Sequence, residues 1–172
     1  LRAIVGTEAV LSRPDELFVY ECDGLTLGGT LPDAVVLPRD GAEVAAVVRA
    51  CREVGVPFVP RGAGTGLSGG AHPVEGSVLI ECSRMDRMLE VNAADRYAVV
   101  QPGLVNAELS RAVVEHQLFY APDPSSQQSC TIGGNVATNA GGLCCVKYGV
   151  TRDWVAGLEG VLADGRGIET GS

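Results

Sequence analysis

Basic residues are few in this sequence and do not cluster. Thirteen Lys and Arg stand against 21 Asp and Glu, which gives a formal net charge of −8. Proteins bind nucleic acids mainly through clustered Lys and Arg that displace counterions from the phosphates. We therefore expect no nucleic-acid partner. Any anionic ligand must be held by backbone N–H groups with the help of one or two arginines.

Long hydrophobic runs are missing as well. The longest, such as Ala34–Leu37 and Ser77–Ile80, are far shorter than the about 20 residues of a membrane-spanning helix. The first residues, Leu1–Gly6, soon meet Glu8 and Arg13 and do not have the pattern of a secretory signal peptide. We expect a cytoplasmic protein, or one that is peripheral at the inner face of the membrane.

Cysteines are present but lack a metal-binding or redox spacing. None of the six forms a C-x-x-C pair, and a domain of this size does not need a disulfide framework. Cys144 and Cys145 are adjacent, but a vicinal disulfide is strained. We expect reduced, mostly buried thiols and no metal site.

The remaining composition is that of a folded domain. Hydrophobic residues make up 46% of the 172-residue chain and charged residues 20%, without long runs of either. This length allows one domain with a real core, and disorder is not expected.

A strand–helix–strand pattern lies between residues 34 and 60. Ala34–Pro38 and Val56–Pro60 have the pattern of short buried strands. Between them, Asp40 is a suitable N-cap and Gly55 a C-terminal stop. The apolar residues of this helix recur at helical spacing: Val44, Val47, Val48 and Cys51. The short connections predict a β-α-β unit with parallel strands.

Further elements are predicted along the chain. They are, in order, strands at Ser77–Cys82 and Tyr97–Gln101, a helix capped by Asn106, an irregular loop from Ala121 to about Cys130, and a hairpin of Leu158–Leu162 and Gly167–Thr170 turned at Asp164-Gly165. The helix would turn Leu109, Ala112 and Val113 inward.

A glycine-rich loop, Gly62–Gly70, directly follows the second strand of the β-α-β unit. Successive glycines let backbone N–H groups converge into a nest that binds phosphate. The carboxyl end of a parallel strand is also where α/β proteins usually bind ligands. Gly64 and Gly66 are expected to need a positive φ and to leave space for a phosphate. A tight solvent turn is the alternative interpretation of this loop taken alone.

The segment Gly64–Gly69 also matches the G-x-G-x-x-G pattern of Rossmann folds. That fold needs a helix packed on the sheet after the third glycine. Only seven residues separate Gly69 from Ser77, and two glycines and a proline are among them, so no crossover helix fits. An NAD-binding Rossmann domain is therefore disfavoured. A P-loop is excluded because no Lys-Ser or Lys-Thr follows the loop.

A second glycine-rich segment, Ile132–Gly142, lies about seventy residues further along the chain. Two such segments, with Pro102-Gly103 between them, suit an extended ligand that is gripped at several points, as FAD would be. Asp123, Asn135 and Asn139, in or near this segment, could contact such a ligand, and the alternative is that they only cap turns.

Several motifs resemble the FAD-linked oxidase family, whose PCMH-type FAD-binding domain has the vanillyl-alcohol oxidase fold. Pro60–Gly70 is similar to the pyrophosphate loop of that family. The resemblance to the flavin subunits (D subunits) of glycolate oxidases is more specific. It covers nearly the whole chain, in order and spacing, through Tyr20–Gly24, Val100–Gly103, Ala121–Ser126, Cys130–Ala137 and Lys147–Val150.

The resemblance implies an α+β fold with two α/β lobes. A small β-α-β parallel lobe, about residues 1–82, would be followed by a mixed or antiparallel sheet lobe flanked by helices, about residues 83–172. It also implies that the chain is a fragment, because such proteins continue into a substrate domain with the catalytic base. No complete active site is therefore expected here, and neither His72 nor His116 is a candidate base.

The resemblance also assigns cofactor-binding residues position by position. The pyrophosphate and the adjoining ribityl chain would be wrapped by Arg61, Gly62, Ala63, Gly64, Thr65, Gly66, Leu67, Gly70 and Ala71. The cofactor channel would be lined by Pro102 and Gly103. The flavin and its ribityl chain would be bordered by Pro122, Asp123, Thr131, Gly133, Gly134, Asn135, Ala137 and Thr138, with Gly142 and Tyr148 close by and Val161 toward the adenine.

The activity that the resemblance implies is that of an FAD-dependent 2-hydroxy-acid dehydrogenase or oxidase acting on glycolate or D-lactate. Electrons would pass to an acceptor, such as an iron–sulfur subunit and a quinone. The alternatives are a D-2-hydroxyglutarate or D-lactate dehydrogenase and an FAD-binding module without its own catalysis. FAD is expected to be non-covalent. Thr65 stands where some relatives have a flavin-bonded histidine, and no basic residue lies near Cys130 in sequence to activate its thiol.

Overall fold

The computed structural model describes residues 1–26 and 28–171. In chain order, its regular elements are α1 (Arg2–Val5), β1 (Val10–Leu11), α2 (Pro14–Leu17), β2 (Ala34–Val36), α3 (Gly41–Val54), β3 (Phe58–Arg61), β4 (Val78–Glu81), β5 (Met88–Asn92), β6 (Tyr97–Val100), α4 (Asn106–Val114), α5 (Ile132–Thr138), α6 (Cys145–Tyr148), β7 (Gly157–Val161) and β8 (Gly167–Gly171). This mixture of helices, parallel strands and antiparallel strands confirms the predicted fold class.

The chain divides into two compact units. The first takes in Leu1–Arg84 and the segment that starts at Ala156, and the second is Met85–Val155. The C-terminal hairpin, β7 with β8, therefore lies in the first unit and not in the second lobe, where it was expected. A contact with α3 accounts for this, since Nη1 of Arg49 donates a hydrogen bond to the carbonyl of Gly165 (2.8 Å).

The first unit is built on a four-stranded sheet in the order β1-β2-β4-β3. Strands β2 and β3 run parallel, as the β-α-β pattern predicted, but each pairs with β4, which lies between them. All four residues of β4 are buried, as is typical of a central parallel strand covered on both faces. Strand β1, which was not predicted, pairs antiparallel with β2 at the edge.

Helix α3 confirms the capping signals of the sequence. The carboxylate of Asp40 accepts a hydrogen bond from the backbone N–H of Glu43 (2.9 Å), and Gly55 ends the helix with φ +71°. These are the two ends that the N-cap and left-handed C-cap rules require. Among the described residues, neither α3 nor any other helix is long and apolar enough to cross a membrane.

The core of the first unit lies on both faces of the sheet. On one face, Val36 and Ile80, which are neighbours in register, pack with Val47 of α3. On the other face, the register neighbours Val35 and Leu79 pack with Leu17, Tyr20 and Val59. Alternate strand residues thus point to opposite faces, and both sets are removed from water.

The second unit pairs a small antiparallel sheet with helices. Strand β5, which was not predicted, pairs with β6 and is interrupted by an irregularity between Met88 and Glu90. Helix α4 turns Leu109 and Val113 inward, as predicted, and they form a core with Leu104. Hydrophobic residues of both strands pack against this core.

Asn106 is the first residue of α4 and not its cap, which corrects the sequence-based expectation. The residue before the helix is Val105, and the side chain of Asn106 is fully buried. Its Nδ2 donates to the carbonyl of Pro122 (3.2 Å), and its Oδ1 accepts from Nδ2 of Asn135 (2.9 Å). The buried amide therefore ties α4 to the loop at residue 122 and to α5.

The cysteines are free thiols, but fewer are buried than the composition suggested. Cys51 and Cys130 are buried, Cys144 is exposed, and Cys22, Cys82 and Cys145 lie between these extremes. The expectation of mostly buried thiols is therefore wrong in its extent. The exposed thiol of Cys144 lies directly before α6, a helix that has no buried residues.

Replacing Asn106 by Leu should destabilise the protein. The variant leaves the carbonyl of Pro122 and the side-chain amide of Asn135 without their partner, and we expect the free energy of unfolding to fall by about 1–3 kcal/mol. Urea unfolding followed by circular dichroism measures this. Val114→Ala, at the exposed end of the same helix, is the matched control and should change the value by less than about 0.5 kcal/mol. Equal stability of the two variants would contradict the role of the buried amide.

Candidate functional site

The glycine-rich loop follows β3 at its carboxyl end and runs without regular structure up to β4. Its course confirms that no Rossmann crossover helix is present between Gly69 and Ser77. In the described parts of the chain, no backbone N–H from Gly62 to Ala71 donates a hydrogen bond to a protein acceptor. Such a row of unpaired donors, partly sheltered from solvent, is a chemical match for an anion.

The loop glycines serve different purposes. A Cβ atom at Gly66 or Gly70 would enter open space, and neither residue has a positive φ. The expectation of a positive φ at Gly66 is therefore wrong. Gly64 and Gly69 do have positive φ values of +69° and +75°. A Cβ at Gly64 would also overlap the guanidinium of Arg61. Gly64 and Gly69 thus shape the loop, while Gly66 and Gly70 leave room beside it.

Arg61 is buried beneath the loop. Its Nη1 donates to the carbonyls of Cys22 (2.9 Å) and Ala71 (3.1 Å), and its guanidinium carbon lies 5.6 Å from the centre of the Tyr20 ring. The residue is only 8% exposed. Arg61 therefore supports the loop from inside, and these bonds commit Nη1 to the protein.

Glu81, the register partner of Arg61 on β4, is buried as well. Burial raises the pKa of Glu81, and hydrogen bonds from the N–H and hydroxyl of Ser83, with the charge of Arg61, oppose that shift. Burial raises the pKa of Tyr20 too, with a further rise from Glu81. Burial raises the pKa of Cys82 to about 11, so its thiol is protonated near neutral pH. Low solvation is thus the main cause of the raised pKa values of Glu81, Tyr20 and Cys82.

Tyr20–Gly24 forms contacts with the loop that sequence reasoning missed. The N–H of Gly24 donates to the carbonyl of Gly64 (2.8 Å). Asp23 is buried, and its Oδ1 accepts from the N–H of Leu25 (3.0 Å), while its Oδ2 has no hydrogen-bond partner among the described residues. The sequence carried only one signal here, the resemblance of these five residues to a family motif, and that signal assigned them no role.

The second glycine-rich segment contains α5, a helix that was not predicted. Thr131 is its N-cap, and Oγ1 accepts from the N–H of Gly134 (3.2 Å). The N–H of Gly133 donates to the carbonyl of Pro102 (2.8 Å), and a Cβ on Gly133 would lie 2.6 Å from the Pro102 Cβ. The sequence signal that could have predicted the start of α5 was a threonine directly before an apolar residue. Packing against Pro102 explains the glycine at position 133.

Turn capping was the alternative role for Asp123, Asn135 and Asn139, and the structure shows it for two of them. Asn139 does cap a turn, since it has φ 50° at the end of α5 and its Oδ1 accepts from the N–H of Arg152 (3.0 Å). Asp123 caps another, since its Oδ1 accepts from the N–H of Cys144 (3.1 Å). Asn135 does not, because its buried amide bonds to Asn106.

Around Asp123 the chain is closely packed. A Cβ at Gly142 would overlap the backbone of Asp123, which explains this glycine. A hydrogen bond to Asp123 is the main cause of the raised pKa of the Cys144 thiol.

Tyr148, the last residue of α6, makes an aromatic contact. Its ring meets that of Phe119 edge to face, with 5.4 Å between the ring centres.

The remaining predicted site residues fall into both units. In the second, Ala137 and Thr138 are exposed on α5, and the N–H of Gly103 donates to the carbonyl of Met85 (2.7 Å). In the first, Val161 of β7 is half-buried and packs against the sheet core. Of the predicted site residues, those from 61 to 71 thus lie in the first unit with Val161, and those from 102 to 148 lie in the second. No group of three or more His, Cys, Asp or Glu suited to a metal occurs among the described residues.

Comparison with known proteins identifies relatives along the chain. Residues 32–171 match the family described as the FAD-binding domain. The whole chain is 48% identical to the glycolate oxidase subunit GlcD of Escherichia coli strain K12, and it covers 34% of that protein. It is 39% identical over 169 residues to the D-2-hydroxyglutarate dehydrogenase of Stutzerimonas stutzeri, covering 98% of this chain and 36% of the relative. The chain thus spans about a third of the length of these curated relatives.

Solved structures share the fold. An alkyldihydroxyacetonephosphate synthase is 25% identical with a TM-score of 0.88, and the match covers 99% of this chain and 33% of the synthase. A p-cresol methylhydroxylase is 26% identical with a TM-score of 0.83, and the match covers 99% of this chain and 34% of that enzyme. The family match and this fold agree over most of the sequence, so the chain belongs to the PCMH-type FAD-binding domain family of vanillyl-alcohol oxidase fold.

Proposed function

We propose that this chain is the FAD-binding part of a flavin-dependent 2-hydroxy-acid dehydrogenase, with glycolate or D-lactate as the substrate of the whole protein. The observation that carries the proposal is the loop from Gly62 to Ala71, whose N–H groups have no protein acceptor in the described chain. The 48% identity to a glycolate oxidase subunit supports the choice of substrate class.

The first unit fits the diphosphate of FAD. An acidic chain with a net charge of −8 needs preformed N–H donors to hold two phosphates, and the loop offers them. Open space at Gly66 and Gly70 lets phosphate oxygens approach the backbone. The positive charge of Arg61 lies directly behind the same loop. Val161, at the edge of this unit's core, is proposed to approach the adenine.

The second unit is proposed to border the flavin. When bound, FAD supplies the redox chemistry by accepting a hydride from the hydroxyl-bearing carbon of the substrate. The chain's own contribution is orientation: Asn106 fixes Asn135 and the carbonyl of Pro122, and Pro102 packs on Gly133. Fixed walls of this kind hold a cofactor in one position relative to its substrate.

The base and the substrate-binding groups are proposed to lie outside this chain. Of the carboxylates near the loop, Glu81 is bonded to Ser83, and Asp23 is buried with its Oδ1 accepting from the N–H of Leu25. For the whole protein we propose a cytoplasmic location, or one peripheral at the inner face of the membrane. Electrons would leave through an iron–sulfur subunit and a quinone, in keeping with the word subunit in the name of its GlcD relative.

The substrate is tested by anaerobic bleaching of the flavin. The full-length protein, purified yellow, is mixed in turn with glycolate, D-lactate and D-2-hydroxyglutarate, because relatives that are 39% and 42% identical carry the names of dehydrogenases for the last two. We expect glycolate or D-lactate to bleach the absorbance near 450 nm (roughly the flavin maximum) fastest. Bleaching by D-2-hydroxyglutarate alone would reassign the substrate. No bleaching by any of them would favour an FAD-binding module without its own catalysis.

We predict that the FAD is not covalently bound. Thr65 offers no ring nitrogen to the flavin, Cys130 is buried, and a hydrogen bond to Asp123 raises the pKa of the exposed Cys144 thiol, which disfavours its thiolate. Acid precipitation of the full-length protein should release all the flavin as FAD, identified by mass. Colour that stays in the pellet and disappears in Cys130→Ser would refute this prediction, and so would FMN in the supernatant.

Alanine at Gly66 and alanine at Gly64 should affect different properties of the protein, cofactor content in the first case and stability in the second. Gly66→Ala places a methyl group in the space proposed for phosphate, so it should lower the FAD content about tenfold and leave the stability of the flavin-free protein unchanged. Gly64→Ala strains a positive φ and overlaps Arg61, so it should cost at least about 1–2 kcal/mol of stability without any ligand. Flavin absorbance per protein and thermal unfolding measure the two effects. Full flavin content in Gly66→Ala would mean that the loop is only a turn.

A further inference from the structure

Three contacts join Tyr20–Gly24 to the glycine-rich loop within the first unit. The ring of Tyr20 faces the guanidinium of Arg61 at 5.6 Å, and the carbonyl of Cys22 accepts from Nη1 of the same arginine (2.9 Å). The N–H of Gly24 donates to the carbonyl of Gly64 (2.8 Å). Two of the contacts act through Arg61 and one acts on the loop backbone directly.

Gly24 approaches the loop so closely that a larger residue cannot be accommodated. A Cβ on Gly24 would lie 2.9 Å from the carbonyl oxygens of both Thr65 and Gly66. Gly24 has no positive φ, so its own backbone conformation does not call for glycine. The contact with the loop does, because two backbone carbonyls occupy the space of a side chain.

The loop depends on such external support. Its N–H groups from Gly62 to Ala71 make no hydrogen bond within the described chain that would fix their directions. Its carbonyls at Gly64 and Ala71 are held instead, by Gly24 and Arg61. A binding loop that is held in one conformation before the ligand arrives binds more tightly, because less conformational freedom is lost on binding.

The segment also holds the arginine in place. Cys22 and Ala71 bind one nitrogen of the guanidinium, and the Tyr20 ring covers it with the favourable geometry of a cation–π contact. Asp23 fixes the turn at Gly24, since its Oδ1 accepts from the N–H of Leu25 (3.0 Å). Tyr20–Gly24 thus positions both the backbone of the glycine-rich loop and the positive charge of Arg61.

We propose that Tyr20–Gly24 is a positioning segment for the diphosphate of the cofactor: it holds the carbonyl of Gly64, packs on the backbone of Thr65 and Gly66, and holds the Arg61 guanidinium, so that the loop N–H groups converge on two phosphates. This inference rests on the proposed function, because the ligand at the loop is taken to be FAD. It adds Tyr20 and Gly24 to the residues on which cofactor affinity depends.

The experiment uses the full-length protein after its flavin has been removed. Four variants are compared with the wild type: Gly24→Ala, Tyr20→Leu, Tyr20→Phe and, as the matched control, Gly41→Ala. Gly41 is a first-unit glycine without a positive φ, and its Cβ would meet nothing within 4 Å. FAD binding is measured by flavin fluorescence, riboflavin binding is measured in parallel, and inorganic pyrophosphate serves as a competitor for the phosphate site.

Gly24→Ala and Tyr20→Leu should weaken FAD binding about tenfold and weaken competition by pyrophosphate by a similar factor. Their riboflavin binding should not change, because riboflavin has no phosphate. Tyr20→Phe keeps the ring over the guanidinium and should restore FAD binding to within about twofold of the wild type. If Gly24→Ala does not fold, the Tyr20→Leu and Tyr20→Phe pair decides the matter.

FAD binding by Gly24→Ala and Tyr20→Leu that equals that of Gly41→Ala would overturn the inference and leave the proposed function standing. Equal losses of FAD and riboflavin binding would also overturn it, since they would mark a general loss of structure. A wild-type protein that holds no FAD would instead overturn the proposed function, and the inference with it.

Discussion

The buried guanidinium of Arg61 is the interaction on which the candidate site depends. A buried cation is costly unless it is paired and hydrogen-bonded, and here two carbonyls and an aromatic ring meet that demand. Because these partners come from both sides of the loop, satisfying the arginine also fixes the loop. Glu81, its register partner, stays nearby as a buried carboxylate bonded to Ser83. Within the described residues, the N–H groups of the loop can then stay without a protein acceptor.

Local rules predicted the elements that depend on neighbours in sequence. Asp40 and Gly55 mark the ends of α3, and Asp164-Gly165 marks the turn of the last hairpin, because a cap or a tight turn is decided within a few residues. The insertion of β4 between β2 and β3 was not predictable in the same way. Pairing order depends on which strand is most completely buried, and that is a property of the finished sheet.

The candidate site likewise has features that the sequence predicts and features that it does not. Its position after β3 and the absence of a crossover helix followed from spacing alone, yet the reasons for its glycines did not. A Cβ at Gly66 would enter open space, whereas a Cβ at Gly133 would overlap Pro102 and a Cβ at Gly142 would overlap Asp123. A glycine-rich sequence looks identical in the two cases. The buried partners were equally invisible: Cys22 lies 39 residues from Arg61, and Asn106 lies 29 from Asn135.

The charge of the chain explains why the site takes this form. With 21 acidic against 13 basic residues, exposed cations near a diphosphate would compete with surrounding carboxylates and be screened by salt. Backbone N–H dipoles avoid both problems, since they carry no net charge and cannot be neutralised by a neighbouring acid. They act only when several point at one place, so their directions must be fixed in advance. A single arginine placed behind the loop meets that requirement and adds a positive charge close to the proposed phosphate site.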